Sequence, residues 1–205
     1  MDSETAINEF KKIKKYADKT NMRLAAEEWD MPWKILIATI MSAQTRDEVT
    51  IKVAMELFKK YPSIKKLGTA KLQDIENMIQ SINYYKTKAK NIKNCASEIS
   101  RHGLSNDFDE LIKLPGVGRK TANVYLSELN KIQAIAVDTH VFRISRKMGW
   151  AKENTPEKVE IELMNLFPKK MWNEINPTLV RFGKGYSTSR RKEDEILGEI
   201  KEKKS

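Results

Sequence analysis

The sequence predicts an all-α protein, and three observations carry that prediction. Apolar residues recur at helical spacing through almost every segment of the chain. Only residues 132–137 read as extended, and they are too isolated to build a sheet. Proline, glycine and polar breaks separate the apolar stripes from one another.

Residues 4–17 are expected to form an amphipathic helix, with Ile7, Phe10, Ile13 and Ala17 on one stripe and lysines opposite. After a turn at Asp30, Met31 and Pro32, residues 33–41 are apolar almost all round and read as a buried helix. A polar break at 42–47 follows. The next helix, 49–60, places Val49, Val53 and Leu57 on one face and stops at Tyr61-Pro62. Two further stripes, Leu72/Ile75/Met78/Ile79/Ile82 and Ala89/Ile92/Ala96/Ile99, flank a basic and aromatic loop at 81–90, and the second ends at His102-Gly103. A short helix over 107–113 and a longer one over 118–129 come next. Residues 138–147 then turn Val141, Ile144 and Met148 inward and Arg143, Arg146 and Lys147 outward. Thr155-Pro156-Glu157 starts a helix that presents Val159, Leu163 and Leu166 and breaks at Phe167-Pro168. The following one presents Trp172, Ile175, Leu179 and Phe182 and is expected to break near Gly183 and Gly185, leaving a charged tail, 190–205, as one short helix. No solenoid repeat is visible.

The 205 residues suffice for one domain or two small ones. Lys and Arg number 38 against 28 Asp and Glu, a formal net charge of +10, which favours a polyanionic partner and nucleic acid first. A generally lysine-rich composition produces the same excess on solvent-facing helix positions. One cysteine, Cys95, excludes an internal disulfide and a cysteine-ligated metal site and fits a reducing compartment. Met1-Asp2-Ser3-Glu4 begins no secretory signal, and the longest mostly apolar run, 35–43, is far too short to span a membrane. A cytoplasmic monomer is expected, nucleoid-associated in a prokaryote.

The chemistry concentrates in residues 114–141. Leu114-Pro115-Gly116-Val117-Gly118-Arg119-Lys120-Thr121-Ala122 sets two glycines around a valine at a helix start, a tight turn whose exposed amides can hold a phosphate. Lys120 falls in the first helical turn, and 18 positions later Asp138 opens Val137-Asp138-Thr139-His140-Val141, directly before another helix. His102 and His140 have no partner cluster and read as structural.

These two stretches resemble the helix-hairpin-helix glycosylases of base-excision repair, most closely the endonuclease III branch, over roughly residues 25–186. The resemblance implies a two-lobed helical fold with a DNA-binding cleft between a central lobe, 27–134, and a second lobe built from 1–26 and 135–205. It implies that Lys120 is the nucleophile and Asp138 the essential carboxylate of a bifunctional DNA glycosylase and AP lyase that removes oxidised pyrimidines and breaks the strand by β-elimination. Lys120 is expected to have a depressed pKa from the helix dipole and partial burial. As a plain phosphate contact, Lys120 has a second reading. Asp138 also suits an N-cap, a role compatible with catalysis.

The segment Ser42-Ala43-Gln44 resembles the family's stretch whose glutamine enters the gap left by an extruded nucleotide, so Gln44 takes that role by resemblance; a cap or turn amide is the alternative. In the 81–90 loop the resemblance implies a wedge into the base stack, with Tyr84 in that position, and lysines downstream that approach phosphates. Endonuclease III members usually have glycine then leucine where this chain has Asn83 then Tyr84, and the tyrosine pair is closer to adenine-mismatch glycosylases. Either Tyr84 or Tyr85 can instead close the core. Gly116, Val117, Gly118, Arg119 and Thr121 would anchor phosphates without reading sequence.

The partner implied is double-stranded DNA with a damaged base or an abasic site. Relatives carry four C-terminal cysteines for an iron–sulfur cluster, whereas this chain has none at 181–187 or beyond, so no cofactor and no metal site is expected. The hairpin carbonyls can hold a cation incidental to catalysis. Packing of Trp150, Phe167, Trp172 and Phe182 is expected to replace the cluster. A thymine or uracil mismatch glycosylase is the nearest alternative function, and a non-catalytic hairpin module that only binds DNA is the alternative from another class.

Overall fold

The computed structural model describes residues 1–129, 133–186 and 190–202. Ile132, at the start of the extended stretch, Ser187 and the last tail residues, 203–205, lie outside the described residues. Among those described there is no strand, and the helices fall into two compact units, residues 23–132 and residues 1–22 with 133–205.

The 23–132 unit is built around α2 (Pro32–Ser42), on which Trp33 and every residue from Ile35 to Met41 are buried. A helix apolar on all sides must be surrounded, and α3 (Asp47–Lys60), α6 (Tyr85–His102) and α8 (Arg119–Glu128) pack against it. On α3 the buried face is Thr50, Ala54, Leu57 and Phe58, whereas Val49 and Val53 are only partly buried. The face is rotated because Phe58 is drawn between Trp29 and Trp33, at ring-centroid distances of 5.0 and 5.1 Å. A five-residue helix, α4 (Ile64–Gly68), too short to show periodicity, lies on α6 beside α5 (Leu72–Ile79). The hairpin's first helix, α7 (Phe108–Leu111), is shorter than the 107–113 stretch, and it starts at Phe108 because the Asp107 side chain caps the Glu110 amide. Residues 23–29 join this unit through the Ala25 amide, which reaches Asp47 Oδ1 at 3.4 Å, and through Trp29 on Phe58.

The other unit gathers α1 (Ser3–Asp18), α9 (Thr139–Met148), α10 (Pro156–Leu166), a 3-10 turn at Lys169–Met171, α11 (Trp172–Tyr186) and α12 (Arg190–Glu202). Phe10, Trp150 and Phe167 stack edge to face or tilted, 5.2–6.3 Å apart, and the Trp150 indole donates to the buried Glu9 carboxylate at 2.8 Å. Phe182 is fully buried, while Trp172 only borders the core and donates its indole N–H to the Phe167 carbonyl. Contrary to expectation α11 continues through Gly183 and Gly185. Their smallness serves packing: a Cβ at Gly183 would stand 2.2 Å from His140 Nδ1, and one at Gly185 would stand 2.6 Å from Thr20 Cγ2.

The charged tail is a structural helix, since α12 buries Ile196, Leu197 and Ile200 in this core. Its Glu193, 1% exposed, accepts from Arg143 Nε at 3.0 Å and Lys147 Nζ at 2.9 Å on α9. Arg143 and Lys147 are thereby drawn partly inward rather than left in solvent. Burial would raise the Glu193 carboxyl, but the hydrogen bonds and charges of Arg143 and Lys147 outweigh it and hold the pKa below the ordinary value. A carboxylate held low stabilises the fold above its unfolded pKa and loses that contribution as pH falls through the folded one. Glu193→Gln should therefore cost about 3 kcal/mol at neutral pH, and the loss should fade as pH drops below about 4, measured by urea unfolding of both proteins from pH 3 to 7.

Candidate functional site

The turn between α7 and α8 closes through Leu114 N–H to Leu111 O at 3.0 Å and Val117 N–H to Leu114 O at 3.1 Å. Pro115 and Gly116 occupy its centre, and Gly116 has φ +80, the left-handed position that follows proline in a type II turn. A Cβ there would lie 2.9 Å from the Asn91 Cβ on α6, so conformation and space both demand glycine. Gly118 is different. It has φ −98 and ψ 177, which any residue adopts, and a Cβ would meet nothing within 4 Å. Glycine at 118 is needed neither by the turn nor by packing, and it brings no side chain to cap the start of α8.

Within this hairpin Val117 is buried and its amide closes the turn, so it supports the site from beneath. Arg119 is exposed, with its guanidinium 5.1 Å from the Phe108 ring centroid on α7. Lys120 is exposed in the first turn of α8, rather than partly buried, and Thr121 is half-buried.

Gln44 and Tyr84 lie on neighbouring loops of the same unit. Both have left-handed backbones, φ +55 and +57, which bulky residues take at a cost of about 1–3 kcal/mol each. Both side chains face solvent, Tyr84 at 65% exposure, whereas Tyr85 packs against the core. The Asn83 amide Nδ2 donates to the Gln44 carbonyl, and the Asn83 N–H donates to Thr45 Oγ1 at 3.2 Å. Lys88, in the basic 81–90 stretch, is buried, with Nζ on Met41 O, Ala43 O and Thr45 Oγ1. The signal was present in the sequence: Lys88 shares the helical stripe of Ile92, Cys95 and Ile99 and so had to point inward.

Asp138 belongs to the other unit and caps α9. Its Oδ1 accepts from the His140 and Val141 amides, both at 2.9 Å, which leaves Oδ2 outside the cap. The segment before it is tied to α11 by Asn173 Oδ1, accepting from the Ala134 amide at 2.9 Å, and Asn176 Nδ2, donating to the Ala136 carbonyl at 2.7 Å. Neither asparagine stood out in the sequence, because each is a single polar residue on an amphipathic helix. His140 packs on Gly183, and burial lowers its pKa against the opposing pull of Asp138.

The residues present do not fit an iron–sulfur cluster. The single thiol, Cys95, is buried on α6 with its pKa pushed up to about 12 by burial, and residues 1–22 and 133–205 contain no cysteine. Among the described residues, no group of three or more His, Cys, Asp or Glu is arranged to hold a metal ion. No described helix is long and apolar enough to cross a membrane.

A glycine-bearing hairpin that ends in an exposed lysine on an all-helical scaffold defines a class, and residues 37–169 match the HhH-GPD superfamily of base excision DNA repair proteins. The chain belongs to that superfamily. Within it the chain is similar to endonuclease III. It is 42% identical over 156 residues to endonuclease III of Thermotoga maritima, covering 75% of this chain and 73% of that one. With endonuclease III of Bacillus subtilis it shares 39% over 157 residues, 75% of this chain and 72% of the relative. A trapped endonuclease III–DNA covalent intermediate superposes with a TM-score of 0.83 and 33% identity, over 93% of this chain and 90% of that one.

The contrast between the two glycines is measurable without DNA. Gly116→Ala should lower stability by about 1–3 kcal/mol through left-handed strain and the Asn91 contact, while Gly118→Ala should stay within about 0.5 kcal/mol of the parent in urea unfolding.

Proposed function

We propose that Lys120 is the nucleophile and Asp138 the supporting carboxylate of an endonuclease III-like DNA glycosylase and AP lyase that acts on oxidised pyrimidines in duplex DNA. The observation that carries the reading is the start of α8: glycine at 118 where the fold needs none, followed two residues later by an exposed lysine. Space with no Cβ at a helix N-terminus is what a phosphate oxygen requires for close approach. An amine on the same helical turn then stands next to the sugar that the phosphate carries.

The chemistry follows from those groups. The neutral Lys120 amine attacks C1′ as the N-glycosidic bond breaks, and the base departs with the electron pair and a proton. Opening of the sugar ring gives a protonated Schiff base. Loss of a C2′ proton then expels the 3′ phosphate by β-elimination, and water releases the lysine. The positive end of the α8 dipole favours the neutral amine, and closure of a duplex over an exposed lysine removes the water that favours the charged form. Asp138 offers negative charge to the cationic sugar and a proton acceptor for the attacking amine, with its direction set by the two cap bonds on Oδ1. A relative of this fold captured as a covalent intermediate with DNA supports nucleophilic attack over water activation.

Gln44 and Tyr84 are proposed to fill the gap and wedge the stack when the base leaves the duplex, which suits two exposed side chains on strained loops. Gly116 shapes the turn, Gly118 admits the phosphate, and Arg119 and Thr121 flank it. The resident partner is double-stranded DNA bearing the lesion.

Lys120→Gln should abolish strand cleavage at thymine glycol and abasic sites, by more than about 1000-fold, while leaving the duplex Kd within about threefold. Asp138→Asn keeps a competent N-cap, so stability should hold while single-turnover excision falls by more than about 100-fold. Unchanged cleavage in Lys120→Gln contradicts the reading. A panel including uracil and thymine opposite guanine ranks the mismatch alternative in the same assay.

A further inference from the structure

We propose that Lys88 is a positioning residue for base extrusion: its buried ammonium locks the loop carrying Gln44 and joins it to the loop carrying Tyr84. The inference rests on the reading of Gln44 and Tyr84 given above.

Lys88 is 6% exposed, an unusual place for a lysine, and its partners are three neutral oxygens rather than a carboxylate. Its three N–H donors match three acceptors: Met41 O at 2.7 Å, Ala43 O at 2.6 Å and Thr45 Oγ1 at 3.1 Å. Met41 lies in the last turn of α2, so the ammonium sits where the helix dipole welcomes a cation. Ala43 and Thr45 flank Gln44. Holding both neighbours fixes the backbone at 44 in a conformation that a glutamine does not choose for itself.

Thr45 is the junction. Its hydroxyl oxygen accepts from Lys88 and from the Asn83 amide, and Asn83 reaches back to the Gln44 carbonyl. Tyr84 follows Asn83 directly and forms the left-handed entry to α6, whose first turn carries Lys88 itself. One cation therefore ties both loops to one helix, and both side chains project from that frame into solvent. Burial pushes the Lys88 amine down to about 8, as expected for an ammonium held by dipoles alone. An apolar core residue of the same length would fill the space and leave the loop free to relax.

The function of such a frame is to hold two side chains ready before the base moves, since positioning that is off by about 1 Å can cost about 100-fold in rate. A phosphate contact is a different role, and Lys88 is too buried for it.

The test uses Lys88→Met and, to guard against loss of folding, Thr45→Val, which removes the junction with little change in volume. Three quantities are read: single-turnover excision of thymine glycol from duplex DNA, β-elimination at a preformed abasic site in single-stranded DNA, and the salt dependence of duplex binding. We expect excision to fall by more than about tenfold in both variants, single-strand β-elimination to stay within about twofold, and the salt slope to hold. An active wild type matched by both variants overturns the inference alone. An equal fall in single-strand β-elimination overturns it in favour of a general structural role, and a salt slope reduced by about one overturns it in favour of a phosphate contact. A wild type inactive on every lesion overturns the reading of the site, and the inference with it.

Discussion

The approach of Gly116 to Asn91 is the contact on which the hairpin of residues 23–132 depends. It lets the hairpin turn close against α6, and closure of that turn sets where α8 begins. The start of α8 in turn decides that Gly118 and Lys120 face solvent. Three residues before Asn91, on the same helix, Lys88 holds the loop of Gln44. Residues three apart share a helix face, so a single face of α6 carries the supports of both the hairpin and the loops of Gln44 and Tyr84. The apolar stripe of α6, with Ala89, Ile92, Ala96 and Ile99, fixes that face against α2 and α4.

Asp138 is supported by other means. Its unit closes with α12, whose apolar stripe completes the core and whose Glu193 binds two cations of α9, the helix that Asp138 caps. Asn173 and Asn176 hold the backbone that leads into the cap. With no cysteines in this unit, its order comes from aromatic and aliphatic packing and this acidic clamp. The carboxylate's direction is thus fixed by ordinary helix capping, in which amides take one oxygen and leave the other.

The helical elements were legible because periodicity and capping residues agree along most of the chain: Thr155-Pro156 starts α10, and the apolar run before Ser42 is α2. Where the sequence misled, side-chain size or burial had more than one meaning. Gly183 and Gly185 look like helix stops, yet they are small because His140 and Thr20 occupy the space. Lys88 looks like one more surface lysine in a basic loop, although its place on an apolar stripe betrays it. The tail reads as a short charged helix, and Ile196, Leu197 and Ile200, at helical spacing within it, also make it part of the core. Gly116 and Gly118 carry the same letter with opposite requirements, one set by the fold and one not. No sequence pattern separates them, because the distinction lies in what surrounds a missing Cβ.

The proposed chemistry turns on a covalent bond between Lys120 and the sugar. The most direct measurement is borohydride reduction of the protein mixed with abasic-site duplex, followed by proteolysis and mass-spectrometric mapping of the modified peptide. One adduct is expected, carried by Lys120 and absent from Lys120→Gln. An adduct mapped to Lys88 or another lysine, or no adduct on a duplex that the protein cleaves, would contradict it.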